Sequence, residues 1–357
     1  MPENKVSDLF RIRNRFLRSA HLERDFQDPS AFSGYVVTDF AKSCLGRVAY
    51  GLKAGSGQRA WRVTGDYGSG KSSFALLLAH LFAGNIATFP TELRRAIDYH
   101  ELGVPRPHFV PILVTCSRQA LSTTILQSLN SALVQAYGRG AKSRLVTHVH
   151  NLLGSNGEPT ENEVYELILE VNRRIISDSK GKGLLLILDE LGKFLEFAAL
   201  HPERQDIYLL QRLAEAASRS GDAPLFVIGL LHQGFNAYAD VLNQPAQREW
   251  EKIAGRFEEI VFNQPVEQIA NLIASNSLTH DFVPSRAQRP TICVVDSTFY
   301  ETVVCAMKDS FELVAESDNK TMLSQEDRIR LIHDKRTALM SSVKRRRARR
   351  LSRSAKK

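Results

Sequence analysis

The pattern of apolar and polar positions changes near residue 60. Beyond that point, short runs rich in β-forming residues alternate with longer stretches whose apolar residues recur every three or four positions. This alternation predicts an α/β fold, a sheet of mainly parallel strands with helices on both faces. The predicted strands are residues 60–64, 109–115, 183–188, 224–231 and a shorter run at 259–262, and the predicted helices are 72–82, 121–137, 161–176 and 204–218.

One predicted strand lacks the alternation of a half-exposed strand. Residues 184–188 read Leu-Leu-Leu-Ile-Leu. Strands that are covered by helices on both faces have this unbroken apolar character. We therefore expect residues 184–188 to lie near the centre of the sheet.

The rhythm of strands and helices divides the chain into four predicted parts. Residues 1–57 are mixed in pattern and predict an N-terminal extension, and residues 58–275 carry the α/β pattern. Residues 276–343 are poorly defined, with mixed structure and a partial helical lid as the interpretation. Residues 344–357 predict a disordered basic tail.

Charge and cysteine content narrow the choice of partners and compartment. Residues 344–357 contain nine Lys and Arg residues and no acidic residue. The charge of this tail exceeds the net charge of +8 of the whole chain, so the remaining residues are close to neutral together. A run of this kind attracts polyanions such as nucleic acid. The four cysteines form no CxxC pair, and no apolar run is long enough to span a membrane, so we expect a cytoplasmic protein.

Residues 65–72 carry the most specific motif of the chain. They read Gly65-Asp66-Tyr67-Gly68-Ser69-Gly70-Lys71-Ser72, which matches G-x-x-x-x-G-K-[ST] between a predicted strand and a predicted helix. Glycines let such a loop curl so that its N–H groups point at phosphate oxygens, and the helix adds the positive end of its dipole. We expect this segment, with Ser73 beside it, to bind nucleotide phosphates.

Two residues of this phosphate loop have separate expected roles. Lys71 is expected to bridge the β- and γ-phosphates, and Ser72 to place its hydroxyl on Mg²⁺. The motif therefore predicts a P-loop NTPase that uses a nucleoside triphosphate and Mg²⁺.

Adjacent carboxylates, Asp189 and Glu190, end the apolar strand. Asp189 is the candidate anchor for Mg²⁺, which leaves Glu190 to polarise an attacking water. This order resembles the Walker B box of ATPases with a catalytic glutamate. Asp189-Glu190-Leu191-Gly192 also fits the DxxG pattern of GTPases, but the chain has no NKxD for a guanine base. ATP is therefore favoured.

Residues 58–275 resemble the AAA+ ATPases of the origin-recognition and STAND branches. By that resemblance, the residues after the strand at 224–231 hold the sensor position, with Gln233 as the candidate and His232 as the alternative. Gly255-Arg256-Phe257 is similar to the arginine-finger box, so Arg256 would reach a γ-phosphate across a subunit interface, with Arg248 as a competitor. The resemblance therefore implies a homo-oligomer. Residues 189–194 and 229–234 also look like segments of large bacterial ATP-binding proteins, some of them in phage defence.

Four functions remain compatible with these motifs. The first is an Mg²⁺-dependent ATPase whose conformational change acts on a protein partner or effector. The second is a switch, or a truncated ATPase, that binds ATP without turnover, because no complete lid with a second sensor arginine is recognisable after residue 275. The third is a nucleic-acid-binding ATPase that uses the basic tail. The fourth is a P-loop kinase, although no phosphoacceptor pocket is apparent.

Overall fold

A computed structural model describes residues 20–28, 30–32, 35–100, 102–138, 144–154, 159–201, 207–240 and 242–263. Within these residues five strands form one sheet, and every neighbouring pair is parallel. The predicted α/β class is confirmed, and the strand bounds differ from the predicted ones by one residue at most. The strands are β1 (Ala60–Thr64), β2 (Val110–Thr115), β3 (Leu184–Asp189), β4 (Leu225–Leu231) and β5 (Glu258–Val261), in the spatial order β2-β3-β4-β1-β5.

Helices flank the sheet on both sides. Within the described ranges, no helix combines the length and apolar character that crossing a bilayer requires. In chain order the helices are α1 (Leu22–Asp25), α2 (Asp39–Tyr50), α3 (Lys71–Ala83), α4 (Thr91–Ala96), α5 (Leu121–Tyr137), α6 (Arg144–Gly154), α7 (Glu161–Ser177), α8 (Leu191–Leu200), α9 (Ile207–Ser218), α10 (Phe235–Ala239) and α11 (Gln244–Ala254).

Helices α3, α5, α7 and α9 correspond to the four predicted helices, whereas the other seven described helices, among them α6 and α8, have no counterpart in that set. In α6 the apolar residues recur at helical spacing, with Leu145 and Val149 buried and Val146, Leu152 and Leu153 partly buried against the first core. In α8 six of ten residues are buried, and the helix is apolar on most of its surface. The periodic apolar pattern of α6 was thus present in the sequence, whereas that of α8 is hidden by apolar residues on most of its faces.

The two faces of the sheet pack into two apolar cores. Along β3, Leu184, Leu186 and Leu188 point into the first core, and Leu185 and Ile187 point into the second. Helices α5, α7 and α9 cover the first core, and α2 and α3 cover the second. The strand expected near the centre is an interior strand, since β3 pairs with β2 on one side and β4 on the other, while β4 occupies the middle of the sheet.

The described part of the predicted N-terminal extension belongs to the second core. The hydroxyl of Thr38 accepts a hydrogen bond from the first turn of α2, and the helix buries Leu45 and Val48 against the sheet. The predicted domain boundaries stay predictions, and the predicted lid and basic tail, residues 276–357, lie outside the described residues.

His80 lies in the second core without a polar partner among the described residues. Both of its ring nitrogens are buried and lack a hydrogen bond, and the rings of Phe26, Phe32 and Phe89 surround it. Burial lowers the pKa of His80 from its usual value of 6.5 to about 4. The folded state therefore disfavours the protonated imidazole, whereas the unfolded chain binds the proton freely.

We expect the protein to lose stability as the pH falls from 6.5 towards 4. The protonation of His80 alone should make the free energy of unfolding about 2 kcal/mol lower at pH 5 than at pH 7.5. Urea unfolding at both pH values measures this difference, and His80→Leu should reduce it while His150→Leu, at an exposed position of α6, should not. If His80→Leu and the unmodified chain lose the same stability between pH 7.5 and pH 5, other groups cause the loss.

Candidate nucleotide site

The chain changes direction across the sheet at the boundary between β1 and β4. From β1 it continues to β2 at the far edge, whereas from β4 it passes over β1 to β5. In open parallel sheets, ligands bind outside the carboxyl ends of the strands at such a switch point. The predicted phosphate loop follows β1, Asp189 ends β3, and His232 follows β4, so all three segments meet at this edge.

The predicted phosphate loop has a backbone that only glycine allows at several positions. Gly68 and Gly70 have φ angles of 75° and 92°. A Cβ on Gly65 would lie 2.6 Å from the carbonyl oxygen of Phe262, which follows β5. Helix α3 begins directly after Gly70 and has no side-chain cap, so its first N–H groups face the loop and are suited to an anion.

Lys71 is a buried cation inside this loop. Its side chain is 6% exposed, and Nζ donates hydrogen bonds to the carbonyl oxygens of Gly65 at 2.7 Å and Asp66 at 2.8 Å. Burial lowers the pKa of Lys71, and the charges of Asp189, Asp66 and Glu190 oppose this shift. The ammonium is therefore held by backbone carbonyls at the place where phosphate oxygens are expected.

Asp189 lies against Ser72, and the pair suits a magnesium ion. Asp189 is 6% exposed, and its carboxylate accepts one hydrogen bond from the Ser72 hydroxyl and another from the N–H of Glu190 at 2.8 Å. Burial raises the pKa of Asp189, and these hydrogen bonds together with Lys71 oppose the rise. Mg²⁺ prefers one or two carboxylates together with phosphate oxygens and water. Ser73, the next residue of α3, is half-buried.

The backbone of Glu190 has an unusual conformation. Its φ and ψ angles of 54° and 32° are left-handed, which is uncommon outside glycine, and the residue precedes the first turn of α8. Its Oε2 lies 3.4 Å from Lys193 Nζ and 3.4 Å from His232 Nε2. Backbone strain of this kind concentrates at functional sites, where it aims a side chain.

The ring of His232 lies between the ammonium of Lys71 and the carboxylate of Glu190. Its Nδ1 lies 3.4 Å from Lys71 Nζ, and its ring stacks on Tyr67 of the phosphate loop with centroids 3.5 Å apart. Burial lowers the pKa of His232, with a further contribution from Lys71, while Glu190 opposes the shift. The structure therefore brings the alternative sensor candidate into the site, whereas Gln233, the first candidate, has an exposed side chain.

Three further residues support the site, and sequence reasoning did not find these roles. The hydroxyl of Tyr238 is hydrogen-bonded to the backbone of the segment that follows β4, and a Cβ on Gly192 would lie only 2.3 Å from that hydroxyl. Tyr67, expected only as part of the phosphate loop, packs on His232 although it is 70% exposed. Each contact joins segments that are distant in the chain, so no local pattern signals it.

Arg256 lies away from these residues. It follows α11 and precedes β5, at the amino end of a sheet whose candidate site is at the carboxyl end. Its Nε forms an ion pair with Glu215 Oε1 at 3.2 Å. Arg248 is exposed on α11. The geometry therefore leaves a contact between Arg256 and a phosphate only through a second copy of the chain.

Comparisons with known proteins give distant structural neighbours. No protein-family model matches the chain, and no curated protein matches it. The chain is similar to the Aeropyrum pernix ORC2 protein, solved as ADPNP and ADP complexes, with 14% identity and a TM-score of 0.41 over 73% of this chain and 55% of that one. It is also similar to the Aeropyrum pernix ORC1 protein in complex with DNA, with 18% identity and a TM-score of 0.37 over 67% of this chain and 49% of that one. The matched part thus spans about half of each of these two chains.

Proposed function

We propose that the chain binds ATP with Mg²⁺ and hydrolyses it. The observation that carries the proposal is the meeting of Lys71, Asp189 and Glu190 at the switch point of a parallel sheet. A buried cation, a buried carboxylate and a partly exposed carboxylate supply the three kinds of group that phosphoryl transfer to water needs.

The phosphate loop supplies the binding part of this function. On nucleotide binding, the Lys71 ammonium exchanges the carbonyl oxygens of Gly65 and Asp66 for phosphate oxygens, and the first N–H groups of α3 point at the same anion. This exchange replaces neutral acceptors by anionic ones, which adds the attraction between opposite charges in a partly buried site.

Ser72 and Asp189 are the residues that would hold Mg²⁺. The ion, when bound, neutralises charge on the phosphates. Their existing hydrogen bond means that a hydroxyl and a carboxylate oxygen already lie side by side. Among the described residues no cluster of three or more His, Cys, Asp or Glu could hold a metal alone. Nucleotide phosphates would therefore complete the set of ligands.

Glu190 is the proposed general base. Its carboxylate is only partly exposed and lies beside two nitrogen atoms, Lys193 Nζ and His232 Nε2. A carboxylate in this position accepts a proton from an attacking water as the water approaches the γ-phosphate. The left-handed backbone places this carboxylate between Lys193 of α8 and His232, which follows β4.

The rival function is a switch that binds ATP and does not hydrolyse it. Phosphate release by the purified chain with Mg²⁺-ATP, measured together with ATP binding over a range of protein concentrations, separates the two. Specific activity that rises with concentration supports an oligomeric ATPase. Binding without phosphate release at any concentration contradicts hydrolysis by this chain and supports the switch. GTP in parallel tests the expected preference for adenine.

We expect Arg256→Ala to abolish turnover if Arg256 acts on the nucleotide of a second copy. Arginine fingers contribute about 10³-fold or more to the rate. Glu215→Gln removes the ion pair but keeps the arginine, so its activity should stay within about threefold of the unmodified chain.

A mixture of inactive variants tests the same prediction without relying on one loss. Arg256→Ala retains an intact nucleotide site and Glu190→Gln retains the arginine, so their mixed oligomers should recover part of the activity. Equal small losses in Arg256→Ala and Glu215→Gln, with no recovery on mixing, would show that Arg256 only forms an ion pair.

A second candidate function, nucleic-acid binding, is supported by the charge of residues 344–357. Contacts from nine Lys and Arg residues to phosphates predict binding that weakens steeply with salt, by roughly 10³-fold or more between 50 and 200 mM. Deleting residues 344–357 should remove this binding while leaving ATP binding intact. Unchanged DNA and RNA affinity after the deletion would contradict a role for the tail.

A further inference from the structure

A basic cavity lies at the amino end of the sheet, opposite the candidate nucleotide site. It is formed by the carboxyl end of α3 and by the loops that precede β2 and β3, namely residues 83–85, 106–108 and 182, and its volume is about 340 Å³. Main-chain hydrogen bonds join these segments: the N–H of Phe109 donates to the carbonyl oxygen of Phe82 at 2.8 Å, and the N–H of Lys182 donates to that of His108 at 2.6 Å. The main chain therefore fixes the three segments of the lining relative to one another.

The charged side chains that line this cavity are all basic. Arg106, His108 and Lys182 are exposed to solvent, and none of the lining residues is acidic. Within the described ranges, neither Arg106 nor Lys182 forms an ion pair with a carboxylate. Charges of one sign that face a common cleft raise the local concentration of counter-ions. The cavity is therefore suited to an anion.

The hydrogen bonds that Arg106 and Lys182 make within the described part of the chain use few of their donors. Arg106 Nη2 lies 3.4 Å from the carbonyl oxygen of Gly84, which is longer than a typical N–H···O bond, and Lys182 Nζ donates to the carbonyl oxygen of Arg106 at 3.1 Å. The contact with Gly84 places a positive charge at the carboxyl end of α3, where the helix dipole favours it. A guanidinium has five N–H donors and an ammonium has three, so donors remain for the oxygens of an anion.

We propose that this cavity binds the phosphate group of a phosphate monoester. The positive charges of Arg106 and Lys182 match the about 1.5 to 2 negative charges that such a group carries at pH 7. The planar guanidinium can bind two phosphate oxygens together, and the ammonium supplies a compact charge beside it. A volume of about 340 Å³ lies at the lower end of the range of small-molecule sites, so it leaves room for a small organic group on the phosphate.

This cavity and the candidate nucleotide site lie at opposite ends of α3. The helix has 13 residues, so its ends are about 20 Å apart. None of the residues that line the cavity belongs to the phosphate loop at 65–72. Substitutions can therefore abolish binding at one site and leave the other intact, and the inference does not depend on ATP binding or hydrolysis.

Calorimetric titration with glycerol phosphate tests the proposal, with glycerol as the control that lacks the phosphate. We expect glycerol phosphate to bind and glycerol not to bind, and the affinity to fall as sodium chloride is added, because salt screens exposed charges. Arg106→Gln and Lys182→Gln should each raise the dissociation constant by roughly tenfold, the lower end of the contribution of a hydrogen bond to a charged group. Both side chains are exposed, so we expect both variants to fold, and urea unfolding checks this.

Two comparisons separate this cavity from general charge attraction and from the phosphate loop. The double variant Lys53→Gln with Lys180→Gln loses the same charge as Arg106→Gln with Lys182→Gln, but at exposed positions outside the cavity. It should bind glycerol phosphate as the unmodified chain does. Lys71→Ala should keep the affinity for glycerol phosphate and lose affinity for ATP, whereas Arg106→Gln with Lys182→Gln should do the reverse.

The proposal is overturned if glycerol phosphate does not bind, if Lys71→Ala abolishes its binding, or if both double variants lose it equally. Oligonucleotides of one sequence, with and without a terminal phosphate, identify the source of the monoester. Tighter binding of the phosphorylated strand, with the difference lost in Arg106→Gln with Lys182→Gln, would assign the site to the end of a nucleic acid. Equal binding of the two strands, together with binding of glycerol phosphate, would assign it to a small phosphorylated molecule.

Discussion

Replacing Lys71 by alanine is expected to raise the dissociation constant of ATP by roughly 10- to 150-fold. This range corresponds to the about 1.5–3 kcal/mol that a hydrogen bond to a charged group contributes. Lys71 is the cation enclosed by the predicted phosphate loop, and its Nζ already lies within hydrogen-bond distance of two loop carbonyls. No neighbouring lysine on α3 can replace it, since Lys71 is the only lysine of that helix.

Calorimetric titration with Mg²⁺-ATP measures this effect, and Lys252→Ala is the matched control. Lys252 has the same charge but is exposed on α11, where it pairs with Glu249. An exposed pair of this kind contributes little, so Lys252→Ala should bind ATP as tightly as the unmodified chain. Urea unfolding of Lys71→Ala should be measured as well, because the variant loses a buried charge. Unchanged ATP affinity in a folded Lys71→Ala protein would rule out residues 65–72 as the nucleotide site.

Replacing Glu190 by glutamine is expected to lower the rate of ATP hydrolysis by about 10²- to 10⁴-fold and to leave ATP binding nearly unchanged. The range is the usual contribution of a general base. Glutamine has the shape of glutamate but cannot accept the proton of the attacking water. Both residues meet the same cost at a φ of 54°, so the substitution should not change the stability of the fold through the backbone.

Phosphate release under single-turnover conditions measures this second effect. Glu170→Gln provides the control, because Glu170 is an exposed residue of α7 on a different part of the fold. A variant that binds ATP and retains the full rate would remove Glu190 from the mechanism. In that case Asp189 would remain as the carboxylate beside the phosphate loop, and the site would be suited to binding rather than hydrolysis.

Local sequence patterns were sufficient for the strands and for the glycine conformations of the predicted phosphate loop. Every residue of β3 is buried, and a strand that is buried on both faces has an unbroken apolar sequence, which is visible without the structure. The glycines at 68 and 70 adopt positive φ angles that few other residues tolerate, so the motif is readable from residue type. Asp189 is predicted as the metal anchor because Mg²⁺ requires a carboxylate at the end of a buried strand beside the phosphate loop.

The sensor position and Arg256 could not be judged from local sequence patterns. Gln233 and His232 are neighbours after the same strand, and the choice between them depends on which side chain turns toward Lys71 and Glu190. Arg256 has an ordinary helix-end pattern, and its distance from the site is a consequence of strand direction. The residues that flank these positions in the sequence do not predict either outcome.

By itself the sequence determined the α/β class and the five strands and predicted the phosphate loop and the acid pair, because each depends on neighbours within a few positions. Only the tertiary structure decided that His232 joins Lys71 to Glu190, that Tyr67 covers the histidine, and that Tyr238 requires Gly192. The contact between Lys71 and His232 spans 161 positions of the chain, and that between Glu190 and His232 spans 42. The physical reason is that the order of parallel strands, and not distance along the chain, determines which loops meet at one edge of the sheet.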